Sequence, residues 1–133
     1  MVWSPLASGF LTGKYTRANP VPADSRRAKF DFPPIDVERG YDVVAKLKEI
    51  AEKYEATGAQ IALAWLLAKS YVSSVLIGAT KIHQLEDNLG SADLILSEED
   101  VQALDDLTAI PAPYPTWMQP MGWDQKVKKV LEK

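Results

Sequence analysis

The sequence predicts an α/β fold built on a parallel sheet. Two short apolar segments, Met1 to Trp3 and Val72 to Ile77, each run into a turn bearing proline or glycine. Helical periodicity fills the chain between and after them. Strand, long loop, helices, strand, helix is the alternation of β/α units, whose strands lie parallel. Two parallel strands cannot close a sheet, so the pattern reads as part of a larger layered structure.

With 133 residues the chain is long enough for one domain with a sizeable core, and residues 1–133 are read as that one domain. A net charge of −3 speaks against a broad nucleic-acid-binding face, which calls for a basic domain. A small anionic ligand needs only a few well-placed donors and stays open. There is no cysteine, and His83 is the lone histidine, so thiolate and histidine metal sites are not expected. The longest apolar stretch, Ile61 to Ala68, is far short of the roughly 20 residues that span a bilayer. No membrane partner is expected. Met1-Val2-Trp3-Ser4-Pro5 shows neither the basic nor the apolar region of an export signal, which makes the cytoplasm the expected location.

Taken in order, Met1 to Trp3 reads as the end of a strand, with the loop beginning at Ser4-Pro5; residues 1–17 form the first unit. Residues 18–35 carry four prolines and no periodicity, and read as a long irregular connection of the kind that is usually functional or mobile. From 36 to 110 the pattern is helical with one interruption. Val37, Tyr41, Val44, Leu47, Ile50, Ala51 and Tyr54 recur at steps of three and four. Thr57 and Gln60 form a capping box ahead of Ile61 to Ala68, a segment apolar nearly all round and so the more buried helix. Val72 to Ile77, rich in β-branched residues, reads as a buried strand ending at Gly78. A helix then starts near Thr80, with Ile82, Leu85 and Leu89 on one face and Gln84 and Asn88 on another. Ser97 and Asp100 open a further helix that turns Val101, Leu104 and Leu107 inward. Pro111, Pro113 and Pro115 break the chain, and 124–133 has the pattern of a basic amphipathic helix. Residues 111–133 are the tail.

Two segments carry the chemistry, both at the C-terminal end of an expected strand, where open α/β sheets and β/α barrels place ligands. The first is Trp3-Ser4-Pro5-Leu6-Ala7-Ser8-Gly9-Phe10-Leu11-Thr12-Gly13-Lys14-Tyr15. Its glycines let backbone approach a ligand, and Lys14 adds a charge. A P-loop is a poor reading, because that motif needs glycine where Ser8 stands and a hydroxyl for magnesium where Tyr15 stands. The second segment runs from Gly78 to Asn88. A strand turning into a helix at Thr80 aims free N–H groups at the loop, with Thr80 and Lys81 beside them for a phosphate. Gln84, Asp87 and Asn88 follow, suited to the ring edge and amine of an adenine. Taken singly, the first segment also reads as a turn and the second as a capped, solvated helix start.

Together the two segments carry a resemblance. Trp-Ser-Pro-Leu-Ala-Ser-Gly, then Thr-Gly-Lys-Tyr, then Val-Leu-Ile-Gly-Ala-Thr-Lys with Gln-Leu-Glu-Asp-Asn-Leu is similar to the C-terminal half of an aldo-keto reductase. The nearest branch is that of bacterial oxidoreductases and potassium-channel β subunits. The resemblance covers roughly residues 1 to 108, with an echo in Tyr114 to Met118. It implies the last two units of a (β/α)8 TIM barrel plus C-terminal helices, incomplete as a barrel. The seventh strand would end near Trp3 and the eighth would be Val72 to Ile77. It further implies NADP(H) as cofactor. Trp3, Ser4, Pro5, Leu6, Ala7 and Ser8 would wrap the pyrophosphate, with Lys14 reaching a phosphate and Arg26 close to a family arginine that contacts the cofactor. Gly78, Thr80, Gln84, Asp87 and Asn88 would meet the 2′-phosphate and adenine. Lys81 is a plausible addition, since a cation there favours NADP(H) over NAD(H).

The family's catalytic tyrosine, lysine, aspartate and histidine belong to the first half of the barrel, and none of their motifs occurs here. No residue of this chain is therefore expected to be catalytic, and His83 reads as an exposed helix residue. A whole β/α barrel takes about 250 residues. The expected function is the cofactor-binding part of a reductase acting on aldehydes or ketones, either truncated or completed by another chain. The alternative is a non-catalytic binding or assembly module whose exposed core faces drive self-association. Trp117, Met118, Met121 and Trp123 either cover a substrate mouth or pack on the barrel, and Lys126, Lys128, Lys129 and Lys133 read as a solvated face.

Overall fold

The structure, a computed structural model, describes residues 1–23, 25–30, 32–118, 121 and 129–130. Its helices are α1 (Arg26–Lys29), α2 (Val37–Lys53), α3 (Gly58–Leu67), α4 (Ile82–Gly90) and α5 (Glu98–Thr108). The 3₁₀ stretch Ala7–Thr12 precedes α1, and Ser91–Asp93 follows α4.

The core forms where the periodic stripes meet. Tyr41, Val44, Leu47, Ile50 and Ala51 of α2 are buried, at the spacing the sequence showed. Leu47, Ile50 and Ala51 pack with Ile61 and Ala62 of α3 and Leu104 of α5, flanked by Leu6, Leu11 and Leu94. Each fully buried Leu or Ile contributes about 1.5–3 kcal/mol. A second cluster joins Phe10, Tyr15, Tyr41 and Val44, with Phe10 stacked on Tyr15 at 5.1 Å. Val37 departs from the expected stripe: it stands exposed at the first residue of α2, before the core begins.

Caps set the helix boundaries. The Asp36 carboxylate accepts from the Arg39 N–H at 3.2 Å to open α2. The Thr57–Gln60 box closes in both directions, at 3.1 Å and 3.0 Å, and the helix behind it buries Ala59, Ile61, Ala62, Leu63 and Ala64. Ser97 opens α5 by accepting from the Asp100 N–H at 3.2 Å. Its own N–H goes elsewhere, to the Tyr54 hydroxyl at 2.8 Å.

α2 and α5 run antiparallel and are clamped at both ends. Near the start of α2, Arg39 donates to the Leu107 carbonyl at 2.9 Å and to that of Ala109, covering orphan carbonyls at the end of α5. At the far end, Asp100 Oδ2 accepts from Lys53 Nζ at 2.8 Å, Tyr54 Oη at 2.6 Å and Ser97 Oγ at 2.6 Å.

The strands depart from expectation. Among the described residues, Met1 to Trp3 and Val72 to Ile77 meet only in one parallel bridge, Val2 with Val75. Its two hydrogen bonds, Val2 N–H to Ser74 O and Leu76 N–H to Val2 O, are both 2.9 Å. No continuous strand spans 72–77, and Leu76 is exposed where a buried strand was expected. The reason is local. Ser4 turns the chain away at φ 55° directly after Trp3, so the pairing has no length in which to grow.

Two further expectations are corrected, and the facing of α4 is set by its neighbours. The 18–35 connection is not irregular throughout: buried Ser25 caps α1, accepting from the Ala28 N–H at 3.2 Å. α4 starts at Ile82 rather than near Thr80, and Thr80 does not cap it, because its N–H and hydroxyl are both turned to Gln84 Oε1. The stripe Ile82, Leu85 and Leu89 is exposed, whereas Asn88 is buried. α4 is held to α3 through the Asp87 side, where Gln60 Nε2 donates to the Asp87 carbonyl at 2.9 Å, and that rotation leaves the leucines outside. In the tail, Trp117, Met118 and Met121 are exposed. The helix expected over 124–133 lies largely outside the described residues, as do Trp123, Lys126, Lys128 and Lys133. Among the described residues no helix is long and apolar enough to cross a membrane.

Candidate functional site

Parallel pairing of Val2 with Val75 sends the two chains out of the bridge at the same end. Trp3 to Ser8 leave from one side and Ile77 to Lys81 from the other. The segments singled out in the sequence therefore depart from adjacent positions.

The first segment is a strained turn. Ser4, Ala7 and Ser8 have φ of 55°, 48° and 57°, and Gly9 follows at 84°. Left-handed backbone costs a non-glycine residue roughly 1–2 kcal/mol, and such residues gather at ligand-holding loops. Anchoring overrides the cost here. Leu6 and Leu11 pack on the core, Phe10 is buried, and the N–H groups of Ala7 and Gly9 donate to the carbonyls of Ser4 and Leu6, both at 2.9 Å.

Lys14 folds back over this turn. A Cβ built on Gly9 would stand 3.2 Å from Lys14 Nζ, so the glycine makes room for the ammonium. Ser8 spends its hydroxyl on the Phe32 carbonyl at 2.5 Å, which ties the 18–35 connection to the turn. Trp3 is 64% exposed with its ring 5.8 Å from that of Phe32, offering a flat apolar face to solvent. Pro5 is half-buried, and Arg26 is exposed at the first position of α1. Its neighbour Arg27 donates to the Pro33 carbonyl at 2.8 Å.

In the second segment Gly78, Thr80, Lys81 and Gln84 are exposed, Asp87 is half-buried and Asn88 is buried. Gln84 Oε1 accepts from the Thr80 N–H at 3.2 Å and its hydroxyl at 3.3 Å. The Asp87 carboxylate accepts from Thr57 Oγ1, at 3.1 Å and 3.0 Å to its two oxygens. Asn88 borders a groove of about 140 Å³ with Leu63, Val75, Ile77 and Leu89. His83 is exposed on α4.

Phe32 and Thr57, which the sequence reading did not connect to the site, both touch it. Thr57 had a signal, its capping box, but nothing in the sequence indicated that the same hydroxyl also reaches Asp87, thirty residues away. A depression of about 360 Å³ between the 18–35 connection and α2 is lined by Phe10, Pro20, Val21, Arg27, Val37 and Tyr41, none of them a predicted site residue.

The perturbed acids belong to the scaffold. Burial pushes the Asp100 carboxyl up, but hydrogen bonds from Lys53, Ser97 and Tyr54 outweigh it and bring the pKa down to about 2. Asp105 is likewise opposed by burial, and held below the usual carboxylate range by Lys69 and the Trp65 indole, which donates at 2.8 Å.

A strained turn with a lysine folded over it and a helix bearing polar side chains thus follow the two partners of the described parallel bridge. Comparison with known proteins specifies the class. The family model described as "Aldo/keto reductase family" matches residues 1–109, and the chain belongs to that family, whose members generally use NAD(P)H. It is 42% identical over 105 residues to aldo-keto reductase str7 of Strobilurus tenacellus, covering 78% of this chain and 31% of that protein. A probable voltage-gated potassium channel subunit beta of Oryza sativa subsp. japonica is 43% identical over 97 residues, 70% of this chain and 29% of the relative. L-glyceraldehyde 3-phosphate reductase of Escherichia coli (strain K12) is 38% identical over 114 residues, 81% and 29%. The chain spans roughly a third of the length of these curated relatives.

Proposed function

We propose that this chain is the NADP(H)-holding part of an aldo-keto reductase, gripping the adenosine and pyrophosphate end of the dinucleotide. The observation that carries the reading is the parallel Val2–Val75 bridge, from which the Trp3–Ser8 turn and the Gly78–Asn88 segment depart together. The residues present suit the group. The Ser4–Gly9 turn and Lys14 would take the pyrophosphate, with Arg26 nearby; Thr80 and Lys81 the 2′-phosphate; Gln84, Asp87 and Asn88 the adenine. When bound, the cofactor supplies a hydride for an aldehyde or ketone. This chain's residues bind and orient it, and proton delivery to the carbonyl oxygen falls to residues of a complete barrel, of the last part of which this chain is the counterpart.

The test is calorimetric titration of the chain with NADPH and NADH. The expected result is micromolar affinity for NADPH, a preference over NADH, and loss of that preference in Lys81→Ala. A chain shown to be folded by circular dichroism that takes up neither dinucleotide refutes the reading.

A second reading, a binding or assembly module without catalysis, draws on the exposure of Leu76, Ile82, Leu85 and Leu89. An oligomer in light scattering, with no uptake of dinucleotide, favours it.

A further inference from the structure

α4 carries two polar side chains one turn apart, each fixed by a threonine outside the helix. Gln84 spends its carbonyl oxygen on Thr80, through the N–H and the hydroxyl, which leaves its amide N–H groups as donors. Asp87 accepts the Thr57 proton. The same hydroxyl accepts from the Gln60 N–H at 3.1 Å, which occupies one of its two lone pairs and favours pointing its proton at Asp87. A carboxylate has about four lone-pair positions, so Asp87 keeps acceptor capacity after the Thr57 bond. Gln60 fastens the same residue a second time, through the Asp87 carbonyl. Gly90 permits this approach, since a Cβ there would lie 2.5 Å from Gln60 Nε2.

Residues at i and i+3 on a helix are neighbours, about 5–6 Å apart. A fixed donor beside a fixed acceptor is the complement of the adenine edge, where a ring nitrogen accepts and the exocyclic amine donates. A 6-oxopurine presents an acceptor in place of the amine and would set an oxygen against the Asp87 carboxylate.

We propose that Thr57, through its hydroxyl on Asp87, is a positioning residue that makes this site selective for adenine over 6-oxopurine dinucleotides. The proposal rests on the reading of the chain as a dinucleotide holder and adds to it a residue on α3's cap that does not itself touch the ligand.

The experiment compares NADPH with its reduced hypoxanthine analogue on the full chain, by calorimetry. Wild type should prefer NADPH about tenfold, the discrimination of one well-made base-edge contact. Thr57→Val, which keeps the shape and removes the hydroxyl, should lose most of that ratio, and Thr57→Ser should restore it. Asp87→Asn, whose amide can turn a donor toward the 6-oxo group, should abolish the ratio whatever stands at 57, so that adding Thr57→Val changes it no further. Ser97→Ala removes a helix cap remote from the ligand and should leave the ratio intact, separating aim from stability. If Thr57→Val is poorly folded, the ratios of Thr57→Ser and Asp87→Asn decide. A folded Thr57→Val or Asp87→Asn with the wild-type ratio overturns the inference while sparing the dinucleotide reading. Folded wild type that binds neither compound removes that reading and this inference with it.

Discussion

Replacing Asp100 by Asn tests how the two ends of the α2–α5 clamp share the work. The carboxylate collects donors from Lys53, Tyr54 and Ser97 on one oxygen, and its side chain is only 12% exposed. Its pKa falls from 3.8 to about 2 in the folded chain. At 1.36 kcal/mol per unit, this gap is worth on the order of 2 kcal/mol at neutral pH. The sign follows from the depressed folded value. The stabilisation is complete above the unfolded pKa, near 4, and disappears as pH falls through 2; about half should remain at pH 3. Urea unfolding of wild type and Asp100→Asn from pH 7 down to pH 3 measures it. The difference between the two proteins should be about 2 kcal/mol at pH 7 and shrink steadily below pH 4. A difference that is constant across that range would show that the variant acts through packing and not through the charge.

Gly40→Ala should destabilise despite the helix propensity it gains. The new Cβ would stand 2.7 Å from Phe10 Cε1, and Phe10 cannot retreat because it is stacked on Tyr15, so overpacking of about 1–3 kcal/mol outweighs a propensity gain of about 1; a raised melting temperature would contradict this. Arg39→Lys should cost about 1–2 kcal/mol in urea unfolding, because an ammonium does not reproduce the guanidinium's two bonds to the Leu107 and Ala109 carbonyls. An unchanged midpoint would mean that water replaces them at no cost.

What the sequence disclosed follows a physical divide. α2, α3 and α5 were legible because a 3.6-residue stripe, as in α2, and a side-chain cap, as at Thr57 and Ser97, are local facts. The strand over 72–77 was not, because a strand exists through its neighbours, and the Ser4 turn leaves Val2 as its one described pairing. The facing of α4 was not legible for a related reason. Leu85 and Leu89 form a credible inward stripe, but orientation was set by Gln60 and Thr57 gripping Asp87 from another helix. In the candidate site, the strained turn was signalled by its glycines and Lys14. The positive φ at Ala7 had no signal, since alanine does not advertise left-handed backbone.

The bridge between Val2 and Val75, the one among the described residues, joins positions with α1, α2 and α3 strung between them. Whatever loosens that helical array lets the two halves of the site drift apart, and a molecule grasping both halves must, by mutual linkage, resist the loosening. At a hundredfold excess over its dissociation constant such a molecule would add about 2.7 kcal/mol to the whole chain. Occupancy at one edge would thus register as heat resistance in helices it never touches.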